Sequence, residues 1–199
     1  MKKLRLKKCG FSFYDVSALE LASNLIGKIL VRRIDGGEYR ARIVETEAYV
    51  GQHDLACHAS KGRTLRTEIM FGPAGRAYVY LIYGIHDMFN IVAGAVDDAQ
   101  AVLIRAAEPL DGWVVDLSGP GKLAKAMRIT RKDTGVNLCD EALFVLDDPA
   151  DRPPIVTTPR IGVGYAGEWK DRPFRFLDAH SKAVSKPGAY TPVTSVYQT

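Results

Sequence analysis

The residues that most constrain the fold are Asp35-Gly36-Gly37, which read as a hairpin turn between a strand over 28–34 and its return over 38–50. A hairpin commits this part of the chain to antiparallel sheet. On a regular returning strand side chains alternate, so Ile43, Glu45, Glu47 and Tyr49 share one face while Val44, Thr46 and Ala48 share the other. The two acids are then attached about 6.5–7 Å apart, close enough for each charge to feel its neighbour. Two readings stay open at this point. The pair is either the solvated face of an edge strand, where carboxylates usually lie, or it holds a catalytic base directed at a site.

The rest of the chain supplies one domain. Its 199 residues can build one good core, and no linker divides them. Residues 1–10 read as a basic, flexible arm, 11–180 as a single domain, and 181–199 as a polar tail lying loosely on the surface. The arm lacks the apolar run of a signal peptide, and no stretch approaches a membrane span. Cys9, Cys57 and Cys139 are scattered and odd in number, which argues against a disulfide framework and for a reducing compartment. A protein of cytoplasm or nucleoid (nucleus in a eukaryote), not secreted, is expected.

Ser17 with Glu20 fits a capping box, and Ala18, Leu21, Ala22 and Leu25 then recur at helical spacing until Gly27. The run 77–84, Ala-Tyr-Val-Tyr-Leu-Ile-Tyr-Gly, reads as a strand with Tyr78, Tyr80 and Ile82 on one face, paired with a strand over 88–93. A strand over 101–107 is expected to stop at Glu108-Pro109, and a helix follows Gly119-Pro120-Gly121. Free N–H groups at that helix start, with Lys122 and Lys125, could hold a phosphate. It is no P-loop, because Leu123 stands where Ser or Thr is needed. Gly162-Val163-Gly164-Tyr165-Ala166-Gly167 matches a dinucleotide-binding pattern in letters but lacks the βαβ context, so these glycines read as tight turns.

No chemistry needing a metal or an activated Ser or Cys is legible: His53, Cys57 and His58 lack a second ligand cluster, and no nucleophile elbow occurs. What remains is acids, tyrosines, a histidine and basic loops such as 59–66. That set could extrude a base from DNA, hold it between flat side chains and stabilise positive charge on the sugar as the glycosidic bond breaks. A nucleic-acid-binding module without activity, and a carbohydrate hydrolase, are the competing classes.

Ordered motifs then narrow the choice. They are Arg42-Ile43-Val44-Glu45-Thr46-Glu47-Ala48-Tyr49, His58, Tyr78 to Gly84 with Asn90, Arg105-Ala106-Ala107-Glu108-Pro109-Leu110, Gly119-Pro120-Gly121-Lys122-Leu123 and Arg160-Ile161-Gly162-Val163. From about Phe13 to Phe176 the chain resembles the alkyladenine (3-methyladenine) DNA glycosylases, the methylpurine glycosylases. The resemblance implies a monofunctional enzyme of base excision repair. It would act on alkylated or deaminated purines (3-methyladenine, 7-methylguanine, hypoxanthine, ethenoadenine) in double-stranded DNA, as a monomer with no cofactor or metal. It implies Glu47 as general base, with Arg105 ordering the water. Tyr49, His58 and Tyr80 would enclose the base, and Asn90 would disfavour guanine. Tyr83 would be the wedge, with Ile85, Lys122 and Arg63 contacting DNA. The implied fold is mixed α/β (α+β): one domain with a curved antiparallel β-sheet and a protruding β-hairpin, resembling the C-terminal domain of methionyl-tRNA formyltransferase.

Overall fold

In a computed structural model of the chain, residues 6–149 and 151–185 are described. Their elements are β1 (Lys7–Lys8), α1 (Phe11–Tyr14), α2 (Ala18–Leu25), β2 (Ile29–Ile34), β3 (Gly37–Tyr49), β4 (Ala77–Ile82), β5 (His86–Ala93), β6 (Gln100–Pro109), α3 (Pro120–Ala126), β7 (Leu143–Asp147), β8 (Ile155–Thr158) and β9 (Arg175–Asp178). The fold is mixed and rich in sheet. All these strands join one open antiparallel sheet in the order β1-β7-β2-β3-β6-β5-β4, with β9 also on β3 and β8 on β9.

The expected hairpin forms, and its returning strand is the spine of the sheet. One edge of β3 is covered by β6 from Ala41 to Tyr49, while the other is held first by β2 and then, from Glu45 to Glu47, by β9. β3 is therefore an interior strand. The edge-strand reading of its acids fails, since Glu45 and Glu47 are both 0% exposed.

Simple alternation also fails, at one point that matters. Ile43 stands opposite Ala107, Glu45 opposite Ala106 and Thr46 opposite Ile104, so Val44 on β3 and Arg105 on β6 have no opposite residue. These are two β-bulges, one on each strand, and a bulge re-aims the side chains around it. Ile43 joins the main core with Ala48, Ile104 and Ala107, whereas Glu45, Glu47 and Arg105 meet away from it. The bulges do not separate the two acids; they separate both acids from Ile43.

The main core lies between this face of the sheet and the helices. Ala18, Leu21, Ala22 and Leu25 of α2 are buried there with Val79, Phe89, Ile91 and Val102, and Leu123 of α3 joins them. The Ser17 side chain accepts the Glu20 N–H at 3.2 Å, and Thr46 Oγ1 donates to the Ala22 carbonyl at 2.9 Å, tying α2 to β3. The opposite face carries a second cluster of Cys57, Met70, Phe71, Tyr78 and Val92. Tyr78 and Tyr80 thus face away from Val79, as period 2 requires.

Three boundaries differ from expectation. β6 runs through Glu108 and Pro109 because Pro109 opposes only Ala41, and β5 ends its pairing with β6 at Leu103, so the missing N–H breaks no ladder. The supposed arm is structured from Lys7, where Lys7 and Lys8 pair with Asp147 and Leu146 and Cys9 is buried; residues 1–5 lie outside the described part. The supposed loose tail is anchored at its start, since Val184 packs on Val156 and Leu177 and Ser185 binds Glu45; residues 186–199 lie outside the described part. Gly162–Gly167 leads into a short 3₁₀ turn, Gly167–Asp171, and the described residues form no βαβ unit there.

Gly51 ends β3 and turns the chain toward His58. It sits at φ +99°, and a Cβ there would come within 2.8 Å of the Asp98 carbonyl, whereas Gly36 at the hairpin turn (φ +73°) faces open space. Gly51→Ala is expected to lower unfolding free energy by about 2–3 kcal/mol and Gly36→Ala by about 1 kcal/mol. Urea unfolding curves measure both, and equal losses would contradict the packing argument.

Candidate active site

Two carboxylates on β3 and one guanidinium on β6 form the centre of the site. Arg105 Nε donates to Glu45 Oε1 at 3.2 Å, and its Nη1 lies 3.4 Å from Glu47 Oε2. Glu45 is fully committed to protein: Oε1 also accepts from Arg175 Nε at 2.6 Å and Ser185 Oγ at 2.9 Å, and Oε2 accepts the Ser185 N–H at 2.5 Å. Glu47 is held differently. Its Oε1 accepts the Ile161 N–H at 2.7 Å, and its Oε2 accepts the Tyr49 hydroxyl at 2.9 Å. Burial and the adjacent Glu47 charge push the Tyr49 hydroxyl far above its ordinary pKa, so it remains a donor.

Above this cluster opens a cavity of about 420 Å³. Tyr49, Arg105 and Ile161 line it, and each also holds Glu47, which is itself buried and outside the lining. The aromatic wall is Tyr80 with Tyr78 and His58. The His58 ring stands edge-on to Tyr80, with centroids 4.5 Å apart at 78°, and its Nδ1 is 2.9 Å from the Tyr78 hydroxyl. Asn90 lines the cavity with its amide nitrogen pinned to the Tyr78 and Met88 carbonyls, each at 3.1 Å. Burial raises the Cys57 thiol to about 11, which keeps this lining residue a poor nucleophile at neutral pH.

A buried strut fixes the floor from the side. Arg160 Nη1 and Nη2 donate to the Asp54 carboxylate at 2.5 and 2.9 Å, with both side chains 0% exposed. Arg160 also donates to the Ala48 carbonyl at 2.8 Å, and its guanidinium lies 4.8 Å from the Tyr49 ring centroid. Asp54 accepts the Val50 and Ala56 N–H groups besides. The strut joins the loop after β3 to the loop after β8 that delivers the Ile161 N–H. Sequence reading saw Arg160 only within a motif and missed Asp54, whose loop shows no period.

The remaining residues singled out from the sequence are spread around the mouth. Tyr83 lines the cavity from the hairpin tip, 86% exposed, and Ile85 beside it is 72% exposed. Lys122 and Arg63 are outside the lining: Lys122 Nζ is 2.7 Å from Asp116 Oδ2, and Arg63 is paired with Glu68 and Asp97. Sequence reading takes Arg66 only as part of the basic loop 59–66; it is a lining residue whose Nη2 is 3.3 Å from His58 Nε2. His53 turns from the cavity to the Trp169 ring, and among the described residues no group of three His, Cys, Asp or Glu is placed to hold a metal. No helix among them is long and apolar enough to cross a membrane.

Burial first, and then the Arg66 charge, lower the His58 pKa from 6.5 to about 4. An unfolded chain takes up this proton near pH 6.5 and the folded one only near 4, so stability contributed here is present at neutral pH and is lost as pH falls through that window. NMR titration of the His58 ring is expected to show a neutral imidazole at pH 6; a midpoint near 6.5 would contradict the burial.

The methylpurine-DNA glycosylase (MPG) family matches residues 12–182. Proteins from Methanocella arvoryzae and Myxococcus xanthus, both named "Putative 3-methyladenine DNA glycosylase", are each 50% identical to this chain over 188 residues, covering 87% and 91% of it and 94% and 96% of their own lengths. One of the same name from Anaeromyxobacter dehalogenans strain 2CP-C is 52% identical over 178 residues, covering 88% of this chain and 86% of its own. The arginine-bridged acids beneath an aromatic cavity thus belong to a chain of the methylpurine-DNA glycosylase family.

Proposed function

We propose that the chain is a monofunctional DNA glycosylase of base excision repair that removes alkylated or deaminated purines from duplex DNA by direct attack of water on the sugar. The observation that carries this reading is a buried carboxylate, Glu47, held at both oxygens by residues that line an aromatic cavity of about 420 Å³, ample for a purine base. The same reading keeps the architectural likeness to the C-terminal domain of methionyl-tRNA formyltransferase, and takes the protein to act as a monomer without metal or cofactor.

In this mechanism the flipped base leaves the helix at a cost of a few kcal/mol, which stacking in the cavity offsets. Tyr80 and His58, in edge-on contact, form one aromatic wall against it, and Tyr49 completes the enclosure. Tyr83, at the tip of the β4–β5 hairpin with φ +52°, fills the gap left in the duplex, and Ile85 follows it into the minor groove. Lys122 and Arg63 exchange their exposed carboxylate partners for phosphates, an exchange that costs little because such surface pairs are weak. Asn90, pinned by two hydrogen bonds, crowds the exocyclic amine of guanine and so penalises, without barring, a lesion such as 7-methylguanine that keeps it.

Bond breaking places positive charge on the sugar ring, and in this mechanism the Glu47 carboxylate stabilises that charge. Glu47 then takes a proton from the attacking water, whose oxygen bonds to C1′ as the purine departs with the electrons of the C–N bond. Arg105, on the same cavity wall, orients the water and the carboxylate. A lesion that is cationic in DNA departs as a neutral base and so leaves readily.

Glu47→Gln keeps the shape and removes the base. It is expected to slow single-turnover release of hypoxanthine or 3-methyladenine from a lesion duplex by about 10²–10⁴-fold, with DNA binding retained. Abasic-site formation measures the rate. Undiminished release would dismiss Glu47, and intact lesion DNA with tightly bound wild-type protein would favour a binding module without activity.

A further inference from the structure

On the reading above, a purine must lie against Tyr80 and His58, and a positive charge already stands there. The Arg66 guanidinium carbon is 5.1 Å from the Tyr80 ring centroid, and Nη2 is 3.3 Å from His58 Nε2. Arginine only donates, so His58 Nε2 accepts and its Nδ1–H is directed to the Tyr78 hydroxyl. The charge is not neutralised nearby. Arg63, Arg105 and Arg160 each have a carboxylate partner, whereas among the described residues no carboxylate lies within ion-pair distance of Arg66. Glu45 and Glu47 at the floor are engaged by Arg105 and Arg175.

We propose that Arg66 is a specificity-determining residue, whose uncompensated charge at the cavity wall disfavours cationic purine lesions relative to neutral ones. The inference rests on the proposed glycosylase function. A tyrosine face attracts a guanidinium and a cationic base alike, so the two compete for Tyr80 and repel each other. A neutral purine meets no such repulsion and can stack on the guanidinium plane. Two unit charges about 5 Å apart in a half-wet cleft change an equilibrium by roughly tenfold.

The test compares wild type, Arg66→Gln and Arg66→Lys in single-turnover release from duplexes carrying 7-methylguanine, which is cationic, or hypoxanthine, which is neutral. Arg66→Gln is expected to raise the ratio of 7-methylguanine to hypoxanthine rate constants by roughly tenfold, and Arg66→Lys to keep it near the wild-type ratio. An unchanged ratio in Arg66→Gln, with both rates falling together and weaker binding to undamaged DNA, would reduce Arg66 to a phosphate contact and overturn the inference. An equal shift in Arg66→Lys would also overturn it, by assigning the effect to shape. Wild-type release of both lesions with no shift in ratio leaves the glycosylase reading standing while the inference falls; wild-type release of neither removes both.

Discussion

The structure depends on one guanidinium between two buried carboxylates. Arg105 reaches Glu45 and Glu47 from the adjacent strand, and all three side chains are nearly or wholly removed from solvent. Uncompensated, any one of these charges would destabilise the fold by about 3–5 kcal/mol. Paired bulges at Val44 and Arg105 place them on the same side of the sheet, away from the main core. With Arg175 the cluster balances two negative charges with two positive ones, and Ser185 supplies the remaining donors to Glu45.

From that arrangement the division of labour follows. Glu45 shares Arg105 with the cavity, but its other donors, Arg175 and Ser185, come from β9 and the segment after it and stand outside the cavity lining. Among the described residues, the groups that hold Glu47 all line the cavity: the Tyr49 hydroxyl, the Ile161 N–H and Arg105. On the proposed mechanism one acid is a structural anchor and the other the reactive group, set on rigid strands. The Asp54–Arg160 strut extends the same logic to the loops, since it fixes both the Tyr49 ring and the backbone that delivers Ile161. Stiff support of this kind keeps a carboxylate within a fraction of an ångström of a productive position.

Much of the fold was legible because it is written in local periodicity. The Ser17 cap, the 28–50 hairpin and the two faces of the tyrosine strand follow from spacing alone, and the structure agrees with each. The edge-strand reading of 38–50 failed because burial of β3 depends on β6 and β9, whose residues lie about 50–70 and about 130 positions further along. Alternation failed at Val44 because a bulge is a property of two paired strands and leaves no signature in either. The site residues divide the same way. Glu47, Tyr49, Tyr80, Asn90 and Arg105 lie on strands and gather around the cavity; family resemblance and not spacing singles them out. Asp54, Arg66, Ile161 and Ser185 lie on loops or beyond the last strand, where only the folded chain brings them to the site.

The central claim is that these two adjacent acids, alike in burial, differ in role. The most direct measurement is the single-turnover rate of base release by Glu45→Gln, taken at a temperature where circular dichroism shows the variant folded. The account predicts a marked loss of stability and a rate within about tenfold of wild type, far above the 10²–10⁴-fold loss that removal of a general base brings. A folded Glu45→Gln protein whose release is lost as completely as a missing general base demands would contradict the account.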